Sequence, residues 1–149
     1  MNKIISLKNF ITAAENGDLD EIKYLIKNGV GIGEKTIDGS HAKTIEVSRA
    51  LSALRSAAFN GHLNVVKFFK SRGIYEKEAL EWAAINGHFE VVKFLANTEN
   101  SLYNIASTLS HAIWKNSEIS EIDVNIKILE VLFKKFIKLL KNQKEKNHE

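Results

Sequence analysis

The chain has no cysteine and no proline. The first absence excludes a disulfide framework, a cysteine-ligated zinc site, an iron–sulfur cluster and a thiol nucleophile together. The second excludes a proline-rich linker or polyproline ligand and leaves nothing that forces a helix to break. Charge of one sign is also scarce: 21 Lys and Arg against 18 Asp and Glu leave +3, and only Arg49, Arg55 and Arg72 among the cations are arginines. So small a surplus disfavours nucleic acid as a partner. Long apolar runs are missing too. The opening MNKIISLKNF is far short of a secretory core or a membrane span. The expected compartment is therefore a cytosol, or a host cytosol reached without a cleavable signal. What is present, 44% hydrophobic and 26% charged residues in a chain of 149, is enough for one packed domain that needs no metal to hold it.

The chain repeats itself. FITAAENGDLDEIKYLIKNG (Phe10 to Gly29), LRSAAFNGHLNVVKFFKSRG (Leu54 to Gly73) and LEWAAINGHFEVVKFLANTE (Leu80 to Glu99) align without gaps. Each reads as two helices around a tight turn. The alanine pairs Ala13–Ala14, Ala57–Ala58 and Ala83–Ala84 keep the first helix thin, so that neighbouring units stack closely. Gly17, Gly61 and Gly87 end that helix where a left-handed residue is needed. Asp18, Asn64 and Glu90 then fall near the next helix N-terminus, which favours acceptors and negative charge. Ile22, Leu25 and Ile26, then Val65, Val66 and Phe69, then Val91, Val92 and Leu95 form the buried stripe of the second helix. A degenerate fourth unit places Leu109, Ala112 and Asn116 where the third has Leu80, Ala83 and Gly87. An insert from Ser117 to Asp123 delays its second helix.

This pattern closely resembles the ankyrin repeat, whose helix pair reads L-x-x-A-A-x-x-G-H-x-x-V-V-x-x-L-L-x-x-G; GHLNVVKFF and GHFEVVKFL match its second half. The resemblance implies an all-α, ankyrin-like helix-turn-helix solenoid. Its units would lie at about 8–29, 52–73, 78–99 and 107–133 of a single 1–149 domain, with an insert at 30–51, an N-terminal cap over 1–8 and a capping helix at 125–142. The first alanines of the units, at 13, 57, 83 and 112, are spaced 44, 26 and 29 residues apart, against about 33 in the family. The shortest step leaves no room for the usual β-turn finger between Gly73 and Leu80, and the threonine-proline that opens family repeats is absent, so reduced fingers are expected.

Catalysis has little to stand on. GVGIGEKT, at Gly29 to Thr36, resembles a phosphate loop only briefly, because Glu34 separates Gly33 from Lys35 and a helix precedes it. His62 and His88 occupy one position in successive repeats, about 10 Å apart at the spacing of packed helices. A single metal does not bridge that, and a role at the turn fits better. His41, His111 and His148 lack a partner at ligand spacing. No catalytic residue, metal, cofactor or small-molecule substrate is therefore expected.

The informative positions are the variable ones on the first helices, which line the concave face in ankyrin-like stacks: Thr12, Ser56, Trp82 and His111, then Glu15, Phe59, Ile85 and Lys115. Aromatics and Arg anchor many interfaces, which selects Arg55, Phe59, Glu81, Trp82, Ile85, His111 and Trp114 as partner-binding candidates. Two readings stay open: these residues bind another protein, or the 30–51 insert folds back and covers them.

At the C-terminus, Ile126, Leu129, Phe133, Phe136 and Leu140 recur at helical spacing, with Lys134, Lys135, Lys138 and Lys141 opposite. The favoured reading is a cap with a polar outer face. The alternative is a membrane-surface or nucleic-acid binder using those lysines. By resemblance, the function is non-catalytic binding of another protein by a monomer acting as adaptor, inhibitor or secreted effector. Because repeats bury one another, deleting residues 52–73 should abolish cooperative urea unfolding, whereas removing 143–149 should leave the transition nearly unchanged.

Overall fold

The computed structural model describes residues 3–30, 32, 44–116 and 122–146, with side chains at 8–30, 32, 48–114 and 126–146. Its helices are α1 (Lys3–Asn16), α2 (Leu19–Lys27), α3 (Thr44–Phe59), α4 (Leu63–Ser71), α5 (Glu78–Ile85), α6 (Phe89–Thr98), α7 (Leu102–Asn116) and α8 (Ile122–Lys146). No strand occurs among the described residues. Where a single domain is expected from the sequence, contacts group the chain into two compact units, Met1–Glu76 and Lys77–Glu149.

In the first unit α1 packs beside α3, and each carries its own second helix, α2 or α4. The alanine pairs are buried as their size requires: Ala14, Ala57 and Ala58 have no exposed surface. A larger residue there would separate helices that the alanines let approach. The core is completed by Ile22, Leu25, Leu54, Val65 and Val66, all buried, and by Phe10, whose ring meets that of Phe69 edge-on at 6.0 Å. In the second unit α5 lies against α7 and α6 against α8, while α5–α6 and α7–α8 pair within repeats. First helices thus form one layer of this unit and second helices the other.

The inner turn is the same three times. Asp18, His62 and His88 donate their N–H groups to the carbonyls of Ala13, Ala57 and Ala83 at 2.8–2.9 Å, and Gly17, Gly61 and Gly87 donate theirs to Ala14, Ala58 and Ala84 at 3.3 Å. That pair of bonds is a Schellman closure, and it needs a left-handed residue at the glycine; Gly17 has φ +74°. The same closure ends α2 and α4, where Val30 and Ile74 follow the glycine and bury their side chains.

At Gly17 a second constraint is added. The His62 ring lies over this turn, with Nε2–H donating to the Glu15 carbonyl at 2.7 Å, and Asn64 donates its Nδ2 to the Gly17 carbonyl at 3.2 Å. A Cβ on Gly17 would sit 2.5 Å from His62 Nδ1. The second repeat therefore clamps the turn of the first, which accounts for a histidine at a helix start where it makes no side-chain cap bond. Asp18 does cap its helix, accepting from the Glu21 N–H at 2.9 Å.

Several boundaries differ from those read in the sequence. No separate cap occupies the described part of 1–8, because α1 is continuous from Lys3. The insert is shorter than 30–51: residues 44–51 are already the first turns of α3, since TIEVSRALSA keeps helical spacing and holds no breaker. Of the rest of the insert, residues 31 and 33–43, and with them most of the GVGIGEKT segment, lie outside the described residues, as does the 117–121 part of the later insert.

The fourth repeat begins at Leu102, not near 107. Ser101 Oγ accepts the Asn104 N–H at 3.2 Å, and the buried Glu99 carboxylate takes the N–H groups of Asn100 and Ser101 at 2.8 and 2.7 Å. Helix α8 runs 122–146 rather than 125–142, and its buried face is Ile128 and Leu132, not Ile126 and Phe133, which are 46% and 55% exposed. Packing against both α6 and α7 turns the helix, so that Lys135 reaches the Asn97 carbonyl at 3.2 Å. The expected polar outer face is thus partly apolar.

Gly29 also has a positive φ, but a Cβ there meets nothing within 4 Å. Gly29→Ala should cost only backbone strain, about 1–2 kcal/mol. Gly17→Ala should cost a further ~1–3 kcal/mol through collision with His62. In a His62→Ala background the two substitutions should converge, as measured by urea denaturation.

Candidate protein-binding face

The candidate residues fall in both units. Arg55 and Phe59 lie on α3; Glu81, Trp82 and Ile85 lie on α5, and His111 and Trp114 on α7. In the first unit, Arg55 Nη2 donates to Glu76 Oε1 at 3.0 Å, where the Glu76 side chain is 8% exposed. This charge pair ties α3 to the segment that follows α4, so the Arg55 head is engaged within its own unit. Phe59, at the end of α3, is exposed.

The second unit brings more of the set together. Helix α5 buries Ala79, Leu80, Ala83 and Ala84, which turns Glu78, Glu81, Trp82 and Ile85 to its other side. Helix α7 buries Ile105, Thr108 and Ala112. Its opposite side carries Tyr103, Ser107, Ser110 and Trp114, spaced by 3 or 4 residues as one helical face requires. Glu81 Oε1 meets His111 Nδ1 at 3.0 Å and joins the two helices across this face. Beside that pair, Lys77, Glu78, Glu81, Tyr103, Asn104 and Ser107 line a shallow polar groove. Trp114 and Tyr103, at 64% and 76% exposed, stand out on α7, and Trp82 is partly exposed on α5. The arrangement is a polar centre with large aromatics around it.

Tyr103 and Ile113 are absent from the candidates read in the sequence, yet both are exposed. Tyr103 precedes the 107 start assumed for the fourth repeat; the capping pattern Ser101–Leu–Tyr–Asn104, leading into Leu102, Ile105 and Leu109, is the signal that would have placed it. Of the 30–51 insert that would cover the aromatics, residues 31 and 33–43 lie outside the described residues. Among the described residues no group of three or more His, Asp and Glu side chains could hold a metal ion, and no helix is long and apolar enough to cross a membrane.

Comparison with known proteins agrees with this architecture. The family model described as ankyrin repeats, three copies, matches residues 10–107, about two-thirds of the chain. No curated protein matches it. The matched span runs from Phe10 in α1 through the three Ala-Ala…Gly turns to Ser107 in α7, so the all-α helix pairs and their glycine closures have a common origin: the chain belongs to the ankyrin-repeat family.

Proposed function

We propose that this protein binds another protein, without catalysis, through the α5–α7 face of its second unit. Ankyrin repeats are generally protein–protein interaction modules and are typically non-catalytic. The observation that carries the finer reading is the exposure of Trp82, Tyr103 and Trp114 around the Glu81–His111 pair. Large rigid aromatics bury much area at small entropic cost and dominate interface energetics. Ile85 adds apolar contact at the edge, and Arg55 and Phe59 offer a second contact region on the first unit. A module of this kind works by occupying a partner's surface, as an adaptor or inhibitor in a cytosol, including a host cytosol entered as an effector.

Because Trp114 is mostly exposed, Trp114→Ala should change stability by less than about 0.5 kcal/mol. Ala83→Leu, at a position with no exposed surface, should cost about 1–3 kcal/mol. A protein captured from native lysate by the wild type should bind Trp82→Ala/Trp114→Ala about 30-fold more weakly. The same protein should bind Tyr24→Ala, altered at an exposed aromatic of α2, with unchanged affinity. Equal binding by the tryptophan variant would refute the assignment.

A further inference from the structure

The basic surplus of the whole chain sits on one helix. Helix α8 holds seven lysines and three acids, an excess of four, while the complete chain has an excess of only three. The same helix carries apolar residues that the fold does not bury. Ile126, Phe133 and Ile137 are 46%, 55% and 37% exposed, and their spacing of 7 and 4 residues places them within about 40° of one another around the helix. They lie on the side away from Ile128 and Leu132, which face α6 and α7. Half-buried Leu129, Phe136 and Leu140 extend the stripe along one edge, and exposed Lys127, Lys134, Lys138 and Lys141 follow the other. Between Ile126 and Lys141 the helix has one acid, Glu130, 4.0 Å from Lys134; Glu145, near its end, falls on the lysine side by register.

We propose that the outer face of α8 docks on an anionic lipid surface, with Phe133 and Ile137 in the headgroup–acyl boundary and the lysines on lipid phosphates and carboxylates. Three features of the helix select this occupant. A ridge with an apolar crest and a lysine flank is what a helix lying in a membrane interface presents. Juxtaposed lysines are drawn to anionic headgroups. A second copy would bring the same positive surface against itself, and like charges oppose that pairing. Nucleic acid would engage the lysines but gain nothing from Phe133 and Ile137. The contact is peripheral, since α8 is too charged to span a bilayer.

The test is co-sedimentation of the full chain with phosphatidylcholine vesicles containing roughly a quarter phosphatidylserine, against phosphatidylcholine alone and a short DNA duplex. Binding to the anionic vesicles should fall at least about tenfold in Lys134→Glu/Lys138→Glu/Lys141→Glu and, separately, in Phe133→Ser/Ile137→Ser. It should be unchanged in Trp82→Ala, which alters only the proposed protein-binding face. Every altered position on α8 is exposed or nearly so, and circular dichroism melting checks that the variants fold; the lysine set stands alone if the serine pair does not. Failure to bind anionic vesicles overturns the proposal. So does binding that the folded serine pair leaves unchanged, or preference for the duplex, which would assign the lysines to nucleic acid.

Discussion

Each repeat has to reverse its chain within two residues of a helix that ends in a polar turn, directly after an alanine pair. The Schellman closure at Gly17, Gly61 and Gly87 meets that requirement with the same two backbone bonds each time. Its geometry determines where everything else lies. The alanines, one turn back, are buried in units where α1 packs beside α3 and α5 beside α7, and the second helix leaves at an angle that buries Val65, Val66 and Phe69 or their counterparts. In the first unit the His62 ring fills the space that a side chain on Gly17 would take, so the turn of one repeat is completed by its neighbour. Stability of that unit is therefore a property of the pair of repeats.

Within each unit the first helices bury their small residues, and another side of each is left unburied. In the second unit that side carries Trp82, Tyr103 and Trp114, with Glu81 and His111 linking α5 to α7 between them. The behaviour of α8 has the opposite origin. It serves two neighbours at once, and the orientation that buries Ile128 and Leu132 leaves Phe133 and Ile137 outside. One helix layer thus offers aromatics around a polar centre, and the end of the other layer offers an apolar crest beside lysines.

The inner parts of the repeats were legible from the residues alone, because alanine pairs, glycines and valine stripes recur in register and each has one physical use. Boundaries were less legible. Thr44 to Leu51 has helical spacing but no capping signal, so it read as insert; α7 starts at a serine cap that the alignment of repeats passed over. The orientation of α8 was not legible at all. Its apolar residues cover a wide arc, and only packing against α6 and α7 selects the Ile128–Leu132 part of it. Of the binding candidates, repeat register placed Trp82 and His111 on the first helices, and Trp114 was selected as an aromatic beside them; all three are exposed. It gave no indication that Arg55 would be held by Glu76, because that pairing depends on how the segment after α4 folds back onto α3.

In the free protein the aromatic face of α5 and α7 is open to solvent. Hydroxyl-radical footprinting, read by mass spectrometry at each residue, tests it directly, with the fully buried Phe10 and Phe69 as internal references. Tyr103 and Trp114 should label rapidly, Trp82 clearly, and the two phenylalanines almost not at all. Protection of Trp82, Tyr103 and Trp114 to the level of Phe69 in the isolated chain would contradict it, and would mean that the protein covers this face itself.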